Sequence, residues 1–158
     1  MLNKFQYRFY SVILLFSLLV IMSALYIEHI LLISACKLCL YQRIPYILAI
    51  VISFFGFFFP NRRIWLYLLI TIFSGSLIVS GYHLGIENGV FAEFSGCTNE
   101  KLDIIDKSKL LESLSSVLPN CKNVNFRIFG FSLATINFII SIALLFITIK
   151  YLFNETNR

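Results

Sequence analysis

Hydrophobic residues run along this chain in four long uncharged blocks. Phe9 to Ile27 carries no charge over 19 residues, Ile44 to Pro60 none over 17, Ile64 to Tyr82 none over 19, and Ile128 to Ile149 none over 22. A membrane-spanning helix needs about 20 apolar residues, with a range of about 17 to 25. Each block is long enough, and the second, at the short limit, can borrow Leu40 and Tyr41. Pro45 falls in the first turn of that block, where a missing N–H costs little. The pattern predicts spans at about 9–27, 44–60, 64–82 and 128–149 of one membrane domain covering 1–158.

Between the blocks lie a tight turn, Pro60-Asn61-Arg62-Arg63, and two polar loops at about 28–43 and 83–127. In the longer loop Gly89, Ser95-Gly96, Thr98-Asn99 and Pro119-Asn120 are turn punctuation. Between them Leu102, Ile105, Leu110, Leu111, Leu114, Val117 and Leu118 recur at roughly helical spacing. This predicts a short amphipathic helix, packed on its own loop or lying in the membrane interface. The expected fold is therefore all-α: an integral membrane four-helix bundle with one long loop.

Composition agrees. The chain has 158 residues, of which 59% are hydrophobic and 13% charged, against about 25% charged in a soluble domain. So much apolar surface cannot be hidden in a core this small. An even number of spans puts both termini on one side. That side, with the Arg62-Arg63 turn, holds 6 basic residues and one acid, Glu155. The other side holds 7 basic residues, spread over far more chain and offset by 7 acids. Basic density near helix ends marks the cytoplasmic face, so both termini are expected in the cytoplasm and both long loops outside. The same bias accounts for the net charge of +5 without nucleic-acid binding.

All 4 cysteines fall in the outward loops, where in a Gram-negative cell disulfides persist. Ile33-Ser34-Ala35-Cys36 resembles a lipoprotein cleavage box. However, the preceding apolar stretch exceeds the 7 to 15 residues of a signal h-region, Glu28-His29 interrupts it, and three more spans follow. Were Cys97 and Cys121 bonded, the ring they close would contribute roughly 3.5 kcal/mol as a loop clamp. Cys36-Lys37-Leu38-Cys39 is a C-x-x-C, a pattern that commonly lowers one thiol pKa and is also half of many zinc sites. The remaining soft ligands, Cys97, Cys121, His29 and His83, are irregularly spaced, and no metal site is expected.

Arg43 enters the membrane just after this motif. Alone it would be an interface anchor. Beside a C-x-x-C at a helix N-terminus it would help stabilise a thiolate at Cys39 and negative charge on a carbonyl-bearing ligand such as a membrane quinone. His83 ends the third span at the same depth, as an end-cap or as a hydrogen-bond partner of such a ligand. Polar mid-span residues, among them Ser76, Ser80, Asn137 and Ser141, are expected to let helices approach closely and bond across the bundle. Two function classes fit: a membrane thiol oxidoreductase, or a non-enzymatic bundle whose disulfides only staple its loops.

Four spans, Cys36-Lys37-Leu38-Cys39 running into Leu40-Tyr41-Gln42-Arg43, the Cys97/Cys121 pair, Tyr82-His83-Leu84-Gly85-Ile86-Glu87 and Phe129-Gly130-Phe131-Ser132-Leu133-Ala134 together resemble the disulfide bond formation protein B (DsbB) family over nearly the whole chain. The resemblance implies an inner-membrane enzyme that reoxidises DsbA, a periplasmic thioredoxin-like oxidase, and passes the electrons to ubiquinone or menaquinone. By the same resemblance Cys97 would form the mixed disulfide with DsbA, and Cys121 would be its partner. Cys36 would exchange with Cys121, and Cys39 would contact the quinone with Arg43 assisting. His83 would fall near a family histidine of the quinone site. The loop carrying Cys97 and Cys121 is shorter than in well-known members.

Overall fold

In the computed structural model, residues 2–59, 63–92, 121, 127–128 and 130–156 are described. They form α1 (Leu2–His29), α2 (Lys37–Tyr41), α3 (Ile44–Phe58), α4 (Ile64–Glu87), a hairpin of β1 (Arg127–Ile128) and β2 (Phe131–Ser132), and α5 (Leu133–Thr156). Among the described residues four segments are long and apolar enough to cross a membrane: Gln6–His29, Lys37–Phe58, Ile64–Glu87 and Leu133–Thr156. The fold is an all-α four-helix bundle. The amphipathic helix expected near 101–118 lies outside the described residues, as does Cys97.

The helices overrun the charge gaps wherever polar side chains find partners. α4 continues five residues past Tyr82 to Glu87, because His83 turns inward and is 2% exposed. At the other end of the long loop the helix starts late. The gap opens at Ile128, but Arg127 pairs with Ser132 and Ile128 with Phe131 in an antiparallel hairpin. Gly130 makes that turn at φ +88°, a conformation glycine adopts without steric cost, and α5 begins only at Leu133. α2 and α3 are nearly continuous: Gln42 caps the first through bonds to Leu38 and Leu40 carbonyls, and Arg43 leads into the second, with Pro45 in its first turn.

α1 packs on α3, α3 on α4, and α4 on α5. The core between them holds Tyr10, Tyr46, Ala49, Leu69, Phe73 and Leu144. Polarity is inverted relative to a soluble bundle. Ser17, Ser53, Ser76, Ser80, Ser141 and Thr148 are fully enclosed, whereas Leu15, Leu19, Phe54 and Phe146 face outward. In lipid, helices gain nothing by hiding leucine, so interfaces are filled with small residues that permit close approach. Ser76 and Ser141 hydroxyls meet at 2.9 Å across α4 and α5. Gly56 admits the Tyr10 ring, which a Cβ there would meet at 2.5 Å.

Among the described residues, α1 and α5 are joined near the two ends of the chain. There the Gln6 amide donates to Glu155 at 2.9 Å, and Phe9 stacks on Tyr151 with centroids 4.0 Å apart. Toward the cysteine end the two helices frame a cavity of about 390 Å³.

Candidate redox site

Each cysteine of the motif is placed by local helix geometry. The chain leaves α1 through a loop in which Leu32 adopts a left-handed φ of 54°, then enters α2 with Cys36 as N-cap. The Cys36 sulfur accepts the Cys39 backbone N–H at 3.3 Å. One helical turn brings residues three apart onto one face, and the two sulfurs lie 2.9 Å apart as free thiols. The hydrogen bond shared with Cys39, together with His83 and the cap N–H, pulls the Cys36 pKa well below the ordinary thiol value, against the opposing effect of burial. In the reduced pair the hydrogen bond from Cys39, above all, favours the thiolate form of Cys36.

His83 reaches this pair from α4, its Nε2 3.8 Å from Cys36 Sγ. On the other side of the ring the Gln42 amide is 2.9 Å from Nδ1. Gln42 Oε1 accepts from Asn137 Nδ2 at 3.0 Å, and Asn137 Oδ1 accepts from the Tyr46 hydroxyl. This chain of donors leaves Gln42 Nε2 to donate to Nδ1, which places the ring proton on Nε2, facing Cys36. One buried network thus joins α3, α4 and α5 and fixes the imidazole. His83 is therefore a partner of sulfur and does not cap α4. Glu87, one turn on, has Oε1 3.7 Å from His83 Nε2 and accepts Ser132 Oγ at 2.5 Å, which ties α4 to the hairpin.

Arg43 is ion-paired with Glu28 at 2.5 Å, so the end of α1 is fastened to the start of α3. Both halves of the motif, Arg43, Gln42, His83 and Asn137 border the same cavity, whose remaining wall is mostly aliphatic. Cys121 also lines it. It is disulfide-bonded, 2% exposed, and packs in one cluster with Cys36, Leu38 and Ile86. The structure thus gathers Cys36, Cys39, Arg43, His83 and Cys121.

Sequence reasoning missed Gln42, Tyr46, Glu28, Glu87 and Asn137 as site residues. Asn137 offered a signal: a side-chain amide inside a 22-residue uncharged stretch is expensive unless bonded.

A multi-pass membrane protein with a dithiol, a histidine and a third cysteine converging on one cavity belongs to the class of membrane-embedded thiol chemistry. Residues 6–150 match the family described as Disulfide bond formation protein DsbB. A protein of Rickettsia prowazekii (strain Madrid E), called Uncharacterized protein RP370, is 27% identical over 166 aligned positions covering 99% of this chain and 95% of that protein. The chain belongs to the DsbB family, membrane oxidoreductases of disulfide bond formation.

Proposed function

We propose that the protein is a thiol:quinone oxidoreductase of the bacterial inner membrane that reoxidises a periplasmic DsbA-like protein. Electrons pass through Cys97/Cys121 and then Cys36/Cys39 to ubiquinone or menaquinone. The observation that carries this reading is the placement of Cys36, Cys39, His83 and Arg43 on the polar wall of a cavity whose remaining lining is mostly aliphatic.

The donor set suits a quinone head group, a flat apolar ring with two carbonyl acceptors. The cavity, at about 390 Å³, lies within the roughly 300–1,000 Å³ of small-molecule sites. Arg43, His83 and Asn137 would hold the carbonyls, with Cys39 against the ring. When bound, the quinone supplies a two-electron, two-proton acceptor.

The chemistry in the protein is thiol–disulfide exchange. The partner dithiol becomes a disulfide as the Cys97–Cys121 bond breaks. The Cys97/Cys121 dithiol is restored to a disulfide as the Cys36–Cys39 bond breaks. Each exchange forms one S–S bond for the one lost and passes through a mixed disulfide. The Cys36/Cys39 dithiol then yields two electrons and two protons and closes again.

A DsbA-type oxidant lies near about −120 mV, whereas structural disulfides lie below about −300 mV. That gap is about 8 kcal/mol for two electrons, so the Cys36/Cys39 pair must strongly favour its reduced form. Stabilising a thiolate at Cys36 acts in that direction, and His83 and the α2 N-terminus both do so.

The test is turnover: purified protein, a soluble short-chain quinone and a reduced DsbA-like partner should consume thiols and quinone in equal molar amounts of dithiol and quinone. Cys36→Ser, Cys39→Ser and Cys97→Ser should each abolish turnover while leaving the helical circular dichroism unchanged. Turnover persisting without Cys39 would sink the reading.

A further inference from the structure

We propose that Cys36, Cys39 and His83 in the reduced protein form a Cys2His site for a d10 cation of the zinc class, open on its fourth side toward the cavity. The inference rests on the positions of three ligand atoms and not on the identity of any electron acceptor.

Along the sequence these ligands looked too irregular for a metal, since 44 positions separate Cys39 from His83. The fold removes that objection. Both sulfurs and a nitrogen of His83 lie within 4.8 Å of one another. Zinc holds thiolate at about 2.3 Å and imidazole at about 2.0–2.1 Å in tetrahedral geometry, which sets the sulfur–nitrogen edge near about 3.6 Å and the sulfur–sulfur edge near about 3.8 Å. The Cys36 Sγ to His83 Nε2 separation is 3.8 Å, close to the first value. The sulfurs, at 2.9 Å, must open by about 0.9 Å to reach the second. Cys39 can make that adjustment, being less enclosed than Cys36. Two thiolates, one imidazole and an open fourth position is an arrangement zinc already uses in catalytic sites. Glu87, with Oε1 3.7 Å from His83 Nε2, stands within reach of that position.

The surrounding network suits a metal as well as a proton. A metal on Nε2 requires the ring proton on Nδ1, donated outward to an acceptor. Gln42 provides one by a 180° turn of its amide, which exchanges Nε2 for Oε1. Asn137 can turn likewise, and the Tyr46 hydroxyl then accepts where it had donated. The three contacts that join these four side chains can be kept in either polarity. Binding holds both sulfurs as zinc-bound thiolates and releases the thiol proton that Cys39 still carries, with no change in oxidation state. It holds the dithiol reduced and out of exchange, whereas a Cys36–Cys39 disulfide offers the cation no thiolate.

The test uses the full-length chain with Cys97→Ser and Cys121→Ser, so that Cys36 and Cys39 are its only cysteines. The reduced protein in detergent is titrated with Co2+, followed by displacement with Zn2+. One Co2+ per chain should bind, with sulfur-to-metal charge-transfer absorption and the visible bands of four-coordinate cobalt. His83→Ala should weaken binding by at least about 100-fold, and Gln42→Glu, which supplies a carboxylate to Nδ1, should tighten it by about 10-fold. Oxidised protein with an unaltered sequence should bind none, a comparison that does not depend on any variant folding. Equal affinity in the His83→Ala or disulfide forms, or absence of the charge-transfer band in reduced protein with intact helical circular dichroism, would overturn the proposal.

Discussion

At Cys36 a cap N–H, a neighbouring thiol and an imidazole converge on a single sulfur, and together they outweigh its burial. Its pKa falls well below the ordinary thiol value, the Cys39 hydrogen bond contributing most. The folded thiolate is stabilised, so the reduced fold has that stabilisation in full above the ordinary thiol pKa and loses it as pH falls through the lowered value. Alkylation of Cys36 in the reduced protein, followed by site-resolved mass spectrometry, should therefore stay nearly flat from pH 8 to 6. An ordinary thiol would slow by close to tenfold for each unit below about 8.5. Cys39→Ala should restore most of that slope, and His83→Ala a smaller part of it. Gln42 matters for a different reason. Gln42→Leu would strand His83 Nδ1 and an Asn137 donor inside the bundle, costing about 1–3 kcal/mol in a thermal or denaturant melt. Under the proposed function it would also weaken quinone binding through the freed imidazole.

The helices themselves are held by close approach. Gly56→Ala puts a methyl carbon 2.5 Å from the Tyr10 ring and should cost about 1–3 kcal/mol as α1 is pushed off α3. Gly75, also in a helix, has nothing within 4 Å of its would-be Cβ, and Gly75→Ala should be neutral or stabilising by up to about 1 kcal/mol. Paired melts of the two variants check the contrast. The existence of each of the four long helices was legible in the sequence because the preference of an apolar run for lipid is a local property. Helix ends were not, since they depend on partners elsewhere in the chain: α4 reaches Glu87 because Cys36 and Ser132 receive its polar side chains, and α5 waits until Leu133 because a hairpin claims the residues before it. The site divides the same way. A C-x-x-C announces itself in four letters, whereas His83, Tyr46, Gln42 and Asn137 act only as a line across α3, α4 and α5, and 95 positions separate the last two.

At the scale of the whole molecule the cavity is a consequence of unequal packing, with α1 pressed on α3 and α5 on α4 but held to each other at one end. Ala24 lines the gap from the α1 side. Ala24→Phe should occupy part of the volume and raise KM for quinone several-fold, with kcat less affected and the melting temperature nearly unchanged. Steady-state kinetics with a short-chain quinone would show the split; an equal fall in kcat and kcat/KM would argue that the cavity is not the binding space. The Gln6–Glu155 and Phe9–Tyr151 contacts give the seam the action of a clothes-peg, sprung shut at one tip and parted at the other. If the protein takes a quinone as proposed, that long-tailed molecule would slip in sideways from the leaflet bordering the sulfur atoms and keep its isoprenoid tail among the acyl chains.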